Sequence, residues 1–194
     1  MTEAQIIEGC RKGDAAAQRE LYERFAATMM GICCRYVRDR TVAEDLLHDG
    51  FITVFTKVRE FRGEGSFEGW CKRIFVNTAL GFLRKRSPIN ESDQIENMGW
   101  LDSGDTDAVE KMSGEELMEI ICSLPDGYRT ILNLYAVEGY SHKEIGEMLG
   151  ISENTSRSQY FRARGRLIEL LAGSDPPDRP RRDDAGDGRG ASPP

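Results

Sequence analysis

The chain has 194 residues, 39% of them hydrophobic and 30% charged, with a formal net charge of −7. That length suits one medium domain or two small ones, and long mixed helical patterns with few β-branched runs point to an all-α fold. No apolar run is long enough to span a membrane, and Met1-Thr-Glu-Ala does not open a signal peptide, so a cytoplasmic protein without membrane insertion is expected.

Residues 3–12 read as a short amphipathic helix with Ile6 and Ile7 inward, ended near Gly13. Asp14 is placed to cap a longer helix reaching about Asp39, with Leu21, Phe25, Met29, Ile32, Cys33 and Tyr36 on its buried side. Thr41 and Glu44 form a capping-box pattern ahead of Leu46, Leu47, Phe51, Val54, Phe55 and Val58. After the loop Phe61-Arg-Gly-Glu-Gly, Ser66 caps a helix carrying Phe67, Trp70, Ile74, Phe75, Ala79, Phe82 and Leu83, stopped by Pro88. These pieces make an N-terminal domain over 1–87.

Residues 88–112 are polar and acidic and read as a flexible linker in which Trp100 and Leu101 could dock. A second domain, 113–172, opens with a helix bearing Leu117, Ile120, Ile121 and Leu124. Pro125 suits the first turn of the next helix, with Tyr128, Ile131, Leu132 and Leu134 inward. Residues 173–194 lack large apolar side chains and are expected to be disordered.

Between these ends lies the most informative stretch, Tyr140 to Leu171. Ser141 and Glu144 make a capping box, Ile145, Met148 and Leu149 give an apolar face, and Gly150 ends the helix. Ile151 can tuck between two helices, and Ser152 can cap the second, with Glu153 in its first turn. Two capped helices around a Gly turn predict a helix-turn-helix. Ser156, Tyr160, Ala163, Leu167 and Leu170 then face inward, leaving Asn154, Arg157, Ser158, Phe161, Arg162 and Gly165 outside. Guanidinium groups suit guanine edges, and an exposed ring suits the thymine methyl. A basic helix alone would read as a solvated face; the caps, the turn and the polar-plus-aromatic outer side favour DNA recognition.

The charge distribution removes the objection that the chain is acidic. From Ile89 to Glu119 ten acids (Glu91, Asp93, Glu96, Asp102, Asp105, Asp107, Glu110, Glu115, Glu116, Glu119) oppose Lys111 alone. From Ser66 to Arg86, Lys72, Arg73, Arg84, Lys85 and Arg86 oppose Glu68. Two basic helices are separated by an acidic stretch.

Four segments in this order, AEDLLHDGF (43–51), SFEGWCKRIFVNTALGFLRKR (66–86), LPDGYRTIL (124–132) and EIGEMLGISENTSRSQYFRARGRL (144–167), resemble the extracytoplasmic-function bacterial sigma factors. The resemblance covers most of residues 9–172. It implies two helical domains joined by a linker, in a factor that binds core RNA polymerase and directs initiation at promoter DNA. By the resemblance, the 42–58 helix docks on the polymerase through Asp45, Leu46, His48, Asp49 and Phe51, with some apolar members reserved for the core. His48 stands where the family often has Gln. The loop and helix to Arg86 read and open the minus-ten box, through Phe61, Arg62 and Ser66 at a base pocket and Asn77 on a base edge. Lys72, Arg73, Arg84 and Lys85 hold phosphates there. Asn154, Thr155, Arg157, Ser158, Phe161 and Arg162 read the minus-thirty-five box. Cys71 and Gly81 depart from the family's usual larger aliphatic and polar types. Gly146 replaces the usual alanine at the helix crossing, where either small residue permits close approach. Ser156 takes a position that is often Val and is expected to weaken packing locally. An anti-sigma factor is a further expected partner, and the free chain is expected to be a monomer.

No nucleotide-binding Gly loop, paired buried carboxylates or nucleophile–base pair appears, so no enzymatic activity is expected. His48 and His142 lack a second ligand at metal spacing and read as surface residues, and no cofactor is implied. Five cysteines without a Cys-x-x-Cys pair argue against a disulfide framework, and those in apolar helices read as core. Two other readings compete: a free-standing dimeric helix-turn-helix regulator, and a protein-interaction or redox module acting through Cys33 and Cys34.

Overall fold

The computed structural model describes residues 1–86 and 114–173, and every regular element among them is helical. The linker, with Pro88, Trp100 and Leu101, and the tail beyond Gly173 lie outside the described residues.

Helix α1, Glu3–Lys12, begins in a capping box between Thr2 and Gln5 and closes at Gly13, whose φ of 78° is left-handed. Helix α2, Ala15–Tyr36, starts where Asp14 accepts the Ala16 and Ala17 amides. It stops three residues short of the expected Asp39, because Asp39 is needed elsewhere. Its carboxylate accepts the Thr41 amide at 2.8 Å and caps α3, Arg40–Lys57. Thr41 therefore lies inside α3 and does not form the expected capping box. Glu44 instead meets Arg40 at 3.2 Å. A 3₁₀ turn, Val58–Glu60, and the Phe61–Ser66 loop lead to α4, Phe67–Arg86.

The core of this half forms around α2, where Leu21, Phe25, Met29, Ile32, Cys33 and Tyr36 are buried at spacings of three and four. Gly50 lets α3 press onto α4: a Cβ there would overlap the Phe75 ring, which meets Phe51 edge-on with centroids 5.2 Å apart. Burial pushes the Cys33 and Cys71 thiols up to about 12, so both act as small apolar side chains.

The second half contains α5, Gly114–Ser123, and α6, Asp126–Leu132, followed by a π-helical turn, Asn133–Val137. Then come α7, His142–Leu149, and α8, Glu153–Gly173. Pro125 is the N-cap of α6 and sits just before the turn where it was expected. Ile121, Leu124, Leu132 and Ala163 form a small core with Tyr128, Leu167 and Leu170 against it. Ile131, Leu134, Ile145, Leu149 and Ile151 join the larger apolar cluster of the N-terminal half.

The two halves also meet through polar bonds at the end of α2. A helix leaves its last four carbonyls without intrahelical partners. Here the Cys33 carbonyl accepts the Val37 amide at 3.1 Å. The other three are capped from the second half. The Cys122 thiol reaches the Cys34 carbonyl at 3.6 Å, Asn133 Nδ2 donates to that of Arg35 at 2.8 Å, and Arg129 Nη2 donates to that of Tyr36 at 3.0 Å. The Arg129 side chain is 1% exposed and also donates to the Cys122 and Leu124 carbonyls and to Asp126. Around it, Arg38 donates to the Ser123 and Leu124 carbonyls, and Arg35 pairs with Glu138 at 2.7 Å.

Candidate nucleic-acid and polymerase interfaces

Local hydrogen bonds build the helix-turn-helix. Ser141 N donates to Glu144 Oε2 at 2.8 Å, and the Glu144 amide returns to Ser141 Oγ at 3.3 Å. The Ser141 bonds hold the Glu144 carboxyl below its ordinary pKa. Gly150, at φ 71°, turns the chain, and Ile151 fills the angle between α7 and α8. The Thr155 amide donates to Ser152 Oγ at 3.0 Å and starts α8. At Gly146 a Cβ would stand 2.7 Å from the Ile151 carbonyl oxygen, so glycine gives the turn room that alanine would take.

Two expectations are corrected here. His142 is buried, not a surface residue: its Nδ1 lies 3.0 Å from Ser156 Oγ, and its ring stacks on Tyr135 with centroids 4.3 Å apart. Ser156 therefore does not merely weaken the packing, because its hydroxyl ties the two helices together. Burial first, and the nearby Arg157 guanidinium second, lower the His142 pKa.

On the outer face of α8, Asn154, Arg157, Ser158 and Phe161 are exposed, and Phe161 keeps 45% of its surface in solvent. Arg162 is half-buried beside them, as is Thr155, whose Oγ1 lies 2.7 Å from Ser152 Oγ. Arg157 holds Glu153 at 2.6 Å, and Ser158 Oγ donates to the Asn154 carbonyl. Gln159 is buried and was missed, although it stands three residues after Ser156 and four before Ala163.

Along α4, Arg73, Asn77, Arg84 and Lys85 are exposed, and Lys72 pairs with Glu68 at 2.8 Å. Gly63 and Gly65, at φ 80° and 87°, shape the preceding loop and present Arg62. Ser66 Oγ accepts the Gly69 amide at 3.0 Å and so caps α4. Phe61 is not a free pocket wall. It is 8% exposed, with its ring 5.1 Å from Phe67 and 5.6 Å from Trp70, and Arg11 donates to its carbonyl. The ring anchors the loop from below.

On α3, Asp45, His48 and Asp49 line one exposed stripe, whereas Leu46 and Phe51 are buried in the core. The apolar member of that stripe is Ile52, 62% exposed, which sequence reading did not select. Its spacing of three or four from His48 and Asp49 was the available signal.

Comparison with known proteins identifies the family. Residues 21–89 match the family model described as Sigma-70 region 2, and residues 114–167 match Sigma-70, region 4. The ECF RNA polymerase sigma-E factor of Haemophilus influenzae is 33% identical over 175 residues, covering 84% of this chain and 92% of that protein. The sigma-E factor of Escherichia coli K12 is 31% identical, covering 84% and 91%. Among solved structures, the sigma factor RpoE of Bartonella quintana, co-crystallised with the anti-sigma factor NepR, shares the fold. Its TM-score is 0.50 at 22% identity, covering 81% of this chain and 98% of that one. The chain belongs to the extracytoplasmic-function RNA polymerase sigma factors, the non-enzymatic subunits that direct promoter-specific transcription initiation.

Proposed function

We propose that the three exposed faces divide the work of initiation. The outer face of α8, through Asn154, Arg157, Ser158, Phe161 and Arg162, reads the minus-thirty-five box in the major groove, with Thr155 at the edge of that surface. The observation that carries this reading is the face itself: amide, hydroxyl, guanidinium and an exposed ring on one side of a helix whose other side is buried. The 61–66 loop with Arg73, Asn77, Arg84 and Lys85 engages the minus-ten box, where an exposed amide suits an unstacked base and the cations suit single-stranded phosphates. Lys72 joins them once released from Glu68. The stripe of Asp45, His48, Asp49 and Ile52 docks on core RNA polymerase, combining charge with an apolar anchor.

The working units are 1–87 and 113–172, with 88–112 as tether and 173–194 as tail. The chain acts in the cytoplasm, as its polymerase partner requires; among the described residues no helix is long and apolar enough to cross a membrane. An anti-sigma protein is a further partner, supported by the NepR complex of the Bartonella quintana relative.

Run-off transcription with purified core polymerase on a genomic library, with start sites mapped, tests the reading. Promoter-specific starts that require this chain, and that shift or vanish with the α8 face altered, are expected. Specific duplex binding by a dimer without polymerase, and no starts with it, would instead favour a free-standing regulator.

A further inference from the structure

Helix α1 lies ahead of the segment that matches Sigma-70 region 2, which begins at residue 21, and none of the three faces proposed above draws on it. Its C-terminal end nevertheless sits at the root of the loop assigned to the minus-ten box. Helix ends leave their last carbonyls without intrahelical partners. In α1 those of Gly9 and Cys10 are capped locally, by the Asp14 and Gly13 amides. The Arg11 carbonyl instead accepts Arg59 Nε of the 3₁₀ turn at 3.1 Å. In return Arg11 Nη2 donates to the Phe61 carbonyl at 2.6 Å, across fifty residues of sequence. Glu8 braces the other edge of the guanidinium, 3.7 Å from Nη1, while Nε is buried with no partner among the described residues. A buried donor left unmet is costly, so the bonds at the far end of the group are what keep it in place.

We propose that Arg11 is a positioning residue for minus-ten recognition: by fixing the Phe61 carbonyl it sets the direction in which residues 62–65 leave the core. The proposal rests on the reading of the 61–66 loop as a base reader. The Phe61 carbonyl belongs to the planar trans peptide that leads into Arg62, and in such a peptide C=O and N–H point opposite ways. Holding the oxygen against α1 therefore turns the Arg62 amide away from α1. The Phe61 ring is anchored separately, against Phe67 and Trp70, and at the far end Ser66 is fixed as the cap of α4. Between these anchors residues 62–65 are exposed, and Gly63 and Gly65 take left-handed φ values. A loop with two glycines loses much conformational freedom when a bound base orders it. An anchor that orders its root beforehand reduces that loss.

The test uses holoenzyme assembled from the full-length chain and core polymerase. The probe is a labelled non-template oligonucleotide carrying the minus-ten box of a mapped start site, with each base substituted in turn. Arg11→Met should lower affinity for the matching strand about tenfold, the order expected for losing a hydrogen bond from a charged donor. Mismatched strands should lose much less, so the discrimination ratio falls. Arg11→Lys keeps a donor and should recover part of that ratio. Arg11→Gln, whose amide stops short of the carbonyl, should behave like Arg11→Met and replaces it if the apolar variant is unstable in urea. Arg59→Met is the control: it breaks the other bond between α1 and the 3₁₀ turn but leaves the Phe61 carbonyl held. Its discrimination should stay within about twofold of the parent.

Equal losses on matching and mismatched strands, or an Arg59→Met effect as large as that of Arg11→Met, would reduce Arg11 to a structural tie and overturn the proposal. Lost discrimination in Arg62→Ala beside full discrimination in Arg11→Met would overturn it while the loop assignment stands. Full discrimination in both would overturn the loop assignment, and this proposal with it.

Discussion

His142 Nδ1 and Ser156 Oγ meet at 3.0 Å inside the helix-turn-helix and join α7 to α8. Because the folded state lowers the imidazole pKa, it favours the neutral ring. The associated stability is complete above the ordinary value near 6.5 and is lost as pH falls through the folded value. Thermal denaturation should show a steady midpoint at about pH 7–8 and a decline below about 6.5. His142→Gln should flatten that part of the decline. A profile identical to that of the unaltered chain would show that this ring does not carry it. Ser156→Ala should cost about 1–3 kcal/mol in urea unfolding, since it strips a buried nitrogen of its partner.

Gly50 and Phe75 give a packing test. Gly50→Ala gains helix propensity worth about 1 kcal/mol but drives a methyl into an aromatic ring, at a cost of about 1–3 kcal/mol or more. Net destabilisation is expected. Phe75→Leu in that background should cost less than it does alone, a coupling of roughly 0.5–3 kcal/mol in a double-mutant cycle. Strict additivity would mean that α3 and α4 shift apart instead.

The exposed α3 stripe of Asp45, His48, Asp49 and Ile52, proposed as the polymerase-docking face, should separate affinity from stability. Ile52→Ala should leave unfolding within about 0.5 kcal/mol of the parent, because the side chain is already in solvent. It should nevertheless weaken core polymerase binding severalfold, as should Asp45→Lys or Asp49→Lys. Leu46→Ala should do the reverse, losing about 2–5 kcal/mol of stability from a buried site. Titration of labelled core polymerase alongside urea unfolding makes the comparison. Full affinity for core in a chain carrying Ile52→Ala and both charge reversals would remove the stripe as a docking face.

The ion pair of Arg157 with Glu153 predicts a gain of function. Both side chains are exposed, so the pair is worth only about 0.2–1 kcal/mol. If Arg157 reads a base as proposed, it must give the pair up. Glu153→Gln should therefore strengthen minus-thirty-five binding by up to about fivefold. Arg162→Ala should cost roughly 1–3 kcal/mol at one base pair, and Arg166→Ala should alter chiefly the salt slope. Holoenzyme binding to promoter variants at several salt concentrations distinguishes these. Uniform losses from Arg162→Ala would make it a backbone contact.

What was legible in the sequence follows the range of the interactions. Ser141 with Glu144, Gly150 and Ser152 act within a turn of themselves, so the helix-turn-helix can be read from spacing alone. The buried face of α2 is equally local, one side of a single long helix. Arg129 and Asn133 were not legible. In sequence they are ordinary polar residues, and the Tyr36 and Arg35 carbonyls that help make their burial tolerable stand more than ninety residues away. His142 was misjudged for the same reason, since Tyr135, Ser156 and Tyr160 reach it only after the fold forms. Phe61 shows a further limit: an aromatic residue beside a glycine loop suits a base pocket and a core edge equally well. The pairing of Asp39 with Thr41 displaced a capping box that was just as plausible by pattern.

The π-helical turn bears on how the chain can change over time. Its wider winding, with the Glu138 amide donating to the Asn133 carbonyl at 2.9 Å, accommodates one residue more than an α-helix would over the same rise. Loss of a single codon there, such as that for Ala136, would let the segment relax to α-helix while the residues on either side largely keep their faces. Glu138 would stay near Arg35, and α6 would remain intact. A change of length in this short window can thus be absorbed without disturbing the helices before or after it.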